Sequence, residues 1–260
     1  MNINFTKMNG CGNDFVIIDC RTQKIHLSSE QITNLADYKK SIGFDQLLLI
    51  ENCDHADIAV KIFNNDGSKA LACGNGSRCV ASLLLEEQST LTMKTENRII
   101  TANLQDDLVA INMGKADILK ENISLYGLQG DLMDIGNPHI VINITSLNWN
   151  NLESLNNIQV LEYGNLIEND ALFPNKVNVN FAKIIARDFI YLRTFERGAG
   201  ATLACGTGAC ATFACLYKKG LVDSKITIRQ LGGDLNLSIQ NEQIFMAGQT
   251  NINYRGTINI

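Results

Sequence analysis

The sequence predicts an α+β fold built from two similar domains, and three observations carry that prediction. A segment of the first half recurs in the second, short strands outnumber helices, and one helix in each half starts directly after a repeated Cys-Gly-x-Gly. The repeat relates IAVKIFNNDGSKALACGNG, residues 58–76, to IYLRTFERGAGATLACGTG, residues 190–208, so that Cys73 recurs as Cys205 at an offset of 132, about half of the 260-residue length. Seven of its 19 positions are identical, where ordinary residue frequencies of roughly 5 to 10% give about one by chance. A second echo pairs CGNDFVIID, residues 11–19, with IGNPHIVIN, residues 135–143; each is a Gly-Asn turn feeding an apolar strand. A period near 130 residues is too long for a solenoid repeat, so the expectation is one domain over 1–115, a second over 116–247, and a terminal strand near 248–260 crossing back onto the first.

Taken in order, residues 3–8, 15–19, 47–51, 58–63 and 108–113 read as short strands from their alternating or continuous apolar patterns. Residues 28–40 predict an amphipathic helix with Ser28 or Ser29 as N-cap. The segments 75–88 and 207–220 predict the repeated helices, and Gly220 provides the residue that ends the second.

Composition narrows the function. With 45% hydrophobic and 19% charged residues the chain is neither disordered nor collagen-like. Its net charge of -5, with no basic concentration, argues against nucleic-acid or membrane partners and for a small solute. The first residues show no basic stretch leading into an apolar one, which reads as a cytoplasmic protein. Eight cysteines without a C-x-x-C pair read as reduced thiols, and the three histidines are not spaced for a metal site. The segment 206–211 satisfies G-x-G-x-x-A, but no strand leads into it and no βαβ run surrounds it, so a dinucleotide site is weakly supported.

A cysteine at the entrance of a helix, followed by glycines, sits among outward N–H groups that bind anions and favour thiolate over thiol. Cys73 and Cys205 are therefore candidates for depressed pKa, with Gly74, Asn75, Gly206 and Thr207 as donors beside them. If a pseudo-twofold axis brought both helix ends to one cleft, the two sulfurs would serve as base and acid on opposite faces of one carbon. That inverts a stereocentre α to a carboxylate. Cys11, Cys20, Cys53, Cys79, Cys210 and Cys215 read instead as small buried hydrophobes.

The motifs MNGCGNDFVIID, GFDQLLLIE, IFNNDGS, ACGNGSRC, GNPH and FERGAGATLACGTGACA, in this order over nearly the whole chain, resemble diaminopimelate epimerase. The resemblance implies two α+β domains, each a central helix wrapped by a curved antiparallel sheet. It implies a cofactor-independent, pyridoxal-phosphate-free isomerase that interconverts LL- and meso-2,6-diaminopimelate for lysine and peptidoglycan precursors, and a possible homodimer. It implies Cys73 and Cys205 as catalytic residues. Asn13, Gln46 and Asn137 would join the two turns at the reactive amino acid end, and Asn64, Asn178, Glu196 and Arg197 would meet the distal end. His139 falls where the family keeps a histidine beside the cysteines, in reach to help hold a thiol deprotonated. Turn capping for Asn13, Asn64, Asn137 and Asn178, a surface ion pair for Glu196 and Arg197, and a structural role for His139 stand as the alternatives. The chain departs from the pattern at Asn9, Cys11, Ala201 and Thr207. A racemase of the same architecture acting on an amino acid with one ammonium, and a thiol-based metal or redox protein, are the rival functions.

Overall fold

In a computed structural model, residues 2–22, 25–70, 73–85, 90–105, 108–154 and 156–259 are described. The chain divides into two compact units, Met1–Asn112 with Ala247–Ile260, and Met113–Met246. Its secondary structure is mostly strand with four helices among the described residues, an α+β fold.

In the first unit the strand Asn2–Gly10 pairs antiparallel with Asn13–Asp19 and with the terminal strand Asn251–Asn259. Asn13–Asp19 pairs parallel with Gln46–Glu51, which pairs antiparallel with Ile58–Asn64. Ile58–Asn64 then pairs parallel with Thr90–Lys94, and Ile99–Gln105 and Leu108–Gly114 continue as antiparallel neighbours. The apolar runs at 15–18 and 47–50 are continuous because both faces of these strands are buried. Val16, Ile18, Leu47 and Leu49 pack with Ile32, Leu35 and Ala36 of the helix α1, Ser29–Ala36. Phe15 and Leu48, of opposite parity, meet α2, Gly74–Leu84.

Ser28 caps α1 as expected, in a capping box: its Oγ accepts the Gln31 N–H (3.2 Å) while Gln31 Oε1 accepts the Ser28 N–H (2.8 Å). The helix stops at Ala36, short of residue 40, because Asp37 turns extended and its carboxylate takes the Lys39 N–H at 2.8 Å. The predicted end of the second helix, residues 86–88, lies outside the described residues.

The second unit repeats this order element for element. Leu128–Asp134 pairs antiparallel with Pro138–Asn143, which pairs parallel with Asn178–Ala186, followed by antiparallel Phe189–Glu196. Phe189–Glu196 pairs parallel with Lys225–Gln230, and Gly233–Gln240 follows antiparallel. Asp117–Leu125 adds an edge beside Leu128–Asp134. The sheets are thus mostly antiparallel with two parallel pairings per unit, each where a helix or a longer connection intervenes.

Helix α3, Ile158–Glu168, covers one face against Ile140, Ile142, Val179, Phe181 and Phe195, and α4, Gly206–Lys218, covers the other. Sequence patterning did not reveal α3. Its cap, Asn157, accepting the Val160 N–H at 3.0 Å, sits in an asparagine-rich stretch where no single residue stands out. Gly220 ends α4 as predicted, with φ +69° and the paired bonds Gly220 N–H to Tyr217 O and Leu221 N–H to Leu216 O.

Candidate active site

The two Cys-Gly-x-Gly turns fold alike. Cys73 and Cys205 are the N-caps of α2 and α4, each in extended backbone, and each sulfur accepts the N–H three residues on: Gly76 to Cys73 Sγ and Gly208 to Cys205 Sγ, both at 3.4 Å. A cap that is normally a hydroxyl or carboxamide is here a thiol, which aims the sulfur along the helix axis at the positive end of the peptide dipoles.

In the first unit, Asn75, one residue into α2, is buried and its Nδ2 donates to Asn13 Oδ1 at 3.0 Å. Asn75 Oδ1 has no hydrogen-bond partner among the described residues. Gln46 and Asn64, opposite each other on neighbouring strands, form a second pair, Gln46 Nε2 donating to Asn64 Oδ1 at 3.0 Å. Asn64 Nδ2 in turn donates to Ser68 Oγ at 3.0 Å, inside its turn. Both pairs join residues expected at the site to one another.

In the second unit, Asn137 Nδ2 reaches Thr207 Oγ1 at 3.5 Å, and Thr207 Oγ1 lies 3.5 Å from Cys205 Sγ. Asn178 holds the strand ends together: its Nδ2 donates to Pro138 O (2.9 Å) and its Oδ1 accepts the Arg197 N–H (3.0 Å). Glu196 and Arg197 are consecutive yet part ways. The Glu196 carboxylate accepts from Thr202 Oγ1 at 2.6 Å and stands against Cys205, whereas the exposed Arg197 guanidinium donates to Asn175 O at 3.2 Å.

The electrostatics correct one expectation. Burial and then the Glu196 carboxylate push the Cys205 thiol well above its ordinary range, outweighing Thr207 and the Gly208 N–H, which favour the thiolate. Cys205 is therefore a protonated thiol at neutral pH, not the thiolate its helix position alone implied. Burial also raises the Glu196 carboxyl, against hydrogen bonds from Thr202 and Cys205. His139 is fully buried, and burial lowers its imidazole to about 3, so it is neutral. Its Nε2 lies 3.1 Å from Asn137 Oδ1 and its Nδ1 3.1 Å from Asn180 Nδ2. Both ring nitrogens are thus engaged by carboxamides, in place of the thiol contact expected of it.

Sequence reasoning missed Asn180, Thr194 and Gln230. Gln230 Oε1 accepts the Cys205 N–H at 2.9 Å, fixing the cap's backbone. Nothing in its own segment marks Gln230; Asn180 and Thr194 stand where the first half carries Leu48 and Ile62, a contrast that the offset repeat does expose for Thr194. Cys79 and Cys215 are buried and inert, burial pushing both thiols up to about 12. Cys11 adopts a left-handed φ of 52° and accepts from the buried Arg78 Nη2 at 3.2 Å.

The chain is built of two similar α+β units, each with a cysteine-capped helix, and its fold is shared with solved structures. The chain superposes on a hydroxyproline epimerase from Agrobacterium vitis with TM-score 0.71 and 17% identity, covering 99% of this chain and 92% of that one. It superposes on a PhzF-family phenazine biosynthesis protein from Bacillus anthracis with TM-score 0.69 and 16% identity, covering all of both. The Diaminopimelate epimerase family profile matches residues 5–119 and 132–252. Diaminopimelate epimerases from Blochmanniella pennsylvanica and Teredinibacter turnerae are 38% and 37% identical to it, covering 98% and 100% of this chain and 99% and 100% of their own lengths. The chain belongs to the diaminopimelate epimerase family.

Proposed function

We propose that the chain interconverts LL- and meso-2,6-diaminopimelate by a two-base reaction in which Cys73 and Cys205 act on opposite faces of one Cα. The observation that carries this reading is the matched pair of thiol caps, each sulfur 3.4 Å from the N–H of a glycine in the first turn of its helix. Family membership supplies the substrate. One sulfur, as thiolate, takes the Cα proton: the C–H bond breaks and an S–H bond forms. The other, as thiol, gives its proton to the opposite face, and the stereocentre inverts. Cys205, buried beside Glu196, is the sulfur that holds its proton in the resting enzyme.

The N–H groups of Gly74, Asn75, Gly206 and Thr207, at two helix N-termini, stabilise the charge that grows on the substrate carboxylate as the Cα proton leaves. Asn13, Gln46 and Asn137 orient the reactive end. Asn64, Asn178, Glu196 and Arg197 serve the distal amino acid group, with the exposed Arg197 guanidinium forking to the second carboxylate. No resident metal or organic cofactor takes part in this scheme. The same reading makes the protein a cytoplasmic enzyme of lysine and cell-wall precursor synthesis that works as a homodimer.

The test is turnover by the purified, reduced protein without added cofactor, on LL-diaminopimelate and on a panel of L-amino acids with one ammonium, proline and hydroxyproline included. The expected result is meso-diaminopimelate from the first and no racemisation of the others. Racemisation of a panel member at a comparable kcat/KM would assign the chain to a different amino acid.

A further inference from the structure

The parallel between the two units exposes a substitution pattern that the duplication alone does not require. By register, His139 pairs with Asn178 as Phe15 pairs with Gln46, and Asn180 pairs with Thr194 as Leu48 pairs with Ile62. Phe15, Leu48 and Ile62 are buried beneath α2; His139, Asn180 and Thr194, equally buried, take the same places beneath α4. The first unit shows that this layer packs as plain hydrocarbon, so the fold does not demand the polar set. Burying three polar side chains costs free energy unless each is hydrogen-bonded, and here each one is.

The bonds have a direction that one backbone carbonyl decides. Asn180 Nδ2 lies 3.2 Å from Ile140 O, an obligate acceptor, so the amide nitrogen must face that way. Thr194 Oγ1 then donates to Asn180 Oδ1 at 3.1 Å, and Asn180 Nδ2 donates to His139 Nδ1 at 3.1 Å. With Nδ1 accepting, the neutral imidazole carries its proton on Nε2, which donates to Asn137 Oδ1 at 3.1 Å. Asn137 is left with its Nδ2 turned toward Thr207 Oγ1, 3.5 Å away, and so toward Cys205. Gly208 lets α4 come down on this layer: a Cβ there would lie 2.4 Å from Asn180 Oδ1 and 3.1 Å from Thr194 Oγ1.

We infer that Asn180 is a positioning residue of the epimerase site, setting the His139 tautomer and through it the face that Asn137 presents beside Cys205. The inference rests on the proposed role of Asn137 and Cys205, and it assigns His139 the work of a fixed Nε2–H donor to Asn137. A carboxamide flipped end for end would offer an acceptor where the substrate carboxylate needs a donor.

The test is Asn180→Asp, nearly isosteric, read by 15N NMR of the three histidines, with the His139 signals assigned by their loss in a His139→Gln variant, and by steady-state kinetics. In the wild-type protein His139 is expected as the Nε2–H tautomer. The introduced carboxylate demands a proton on Nδ1, so the signals should move to the Nδ1–H or doubly protonated pattern, and kcat/KM should fall about 100-fold, the size of a misplaced orienting group. An unchanged tautomer, or a changed tautomer with kcat/KM within twofold of wild type, would overturn the inference.

A second variant, His139→Phe/Asn180→Leu/Thr194→Ile, installs the first unit's own layer. It is expected to fold with a cooperative melt and to lack turnover; full turnover would show that the polar layer is only packing. The tautomer measurement needs no activity. Wild-type protein inactive on diaminopimelate would therefore sink the functional reading and leave the assignment of the proton standing.

Discussion

Leu48 and Asn180 occupy the same place in the two halves of this chain, each on the second strand of a parallel pair and each beneath the glycine of a cysteine-capped helix. In one half the contact is a methyl group; in the other it is a carboxamide oxygen. The two caps share geometry and differ in what lies under them, which predicts unequal responses to the same change. A Cβ at Gly76 would meet Leu48 Cδ2 at 2.9 Å, the end of a side chain that can rotate away. A Cβ at Gly208 would meet Asn180 Oδ1 at 2.4 Å, in a carboxamide held by three hydrogen bonds. Gly208→Ala should therefore lower the melting temperature more than Gly76→Ala, by an overpacking cost of about 1 to 3 kcal/mol. Paired thermal melts of the two variants check this ordering.

His139 predicts an acid sensitivity of stability. The folded protein keeps its imidazole neutral down to about pH 3, whereas a histidine in the unfolded chain titrates near 6.5. Below about pH 6.5 the unfolded state gains a proton that the folded state refuses. The contribution is complete above that pH and is lost as pH falls toward 3, at up to about 1.4 kcal/mol per pH unit. Urea midpoints near pH 6 and pH 5 should fall more steeply for wild type than for the His139→Phe/Asn180→Leu/Thr194→Ile variant, and parallel slopes would contradict the neutral, buried assignment.

Glu196 predicts a change in thiol reactivity of opposite sign to the change in activity. Its carboxylate helps to keep Cys205 protonated, so Glu196→Gln should lower the Cys205 thiol pKa and speed its alkylation by iodoacetamide at pH 8. Turnover should fall all the same. Mass spectrometry of the peptide carrying Cys205 reads the rate, and slower alkylation than wild type would show that the carboxylate does not act on this sulfur.

The capping box of α1 lies outside the site and gives a control. Ser28→Ala removes the acceptor of the Gln31 N–H and should cost about 1 kcal/mol, seen as a small drop in the melting temperature with kcat/KM unchanged.

Much of this was legible in the sequence because duplication left the same signals twice. The offset of 132 found both thiol caps, and Ser28 and Gly220 marked their helix ends through side-chain and backbone chemistry that acts locally. What escaped depends on neighbours far along the chain. Helix α3 is held by Ile140, Ile142 and Phe195 and carries no distinctive cap, so its own residues announce little. The raised Cys205 thiol arises from burial and from Glu196, which together outweigh the helix terminus that the motif reveals. The neutral state of His139 follows from its burial, which outweighs the hydrogen bond to Asn180, 41 residues away. The contacts of Glu196 were equally hidden: its carboxylate rests on Thr202 and Cys205 because Ala201 and Thr202 turn back along Phe195 and Thr194.

The central claim, that Cys73 and Cys205 share one substrate carbon as base and acid, is tested most directly by turnover of LL-diaminopimelate in deuterated water. Meso product should carry a single deuterium at the inverted Cα, and Cys73→Ala and Cys205→Ala should each reduce product formation to background while remaining folded. Protium retained at that carbon, or full turnover in either variant, would contradict it.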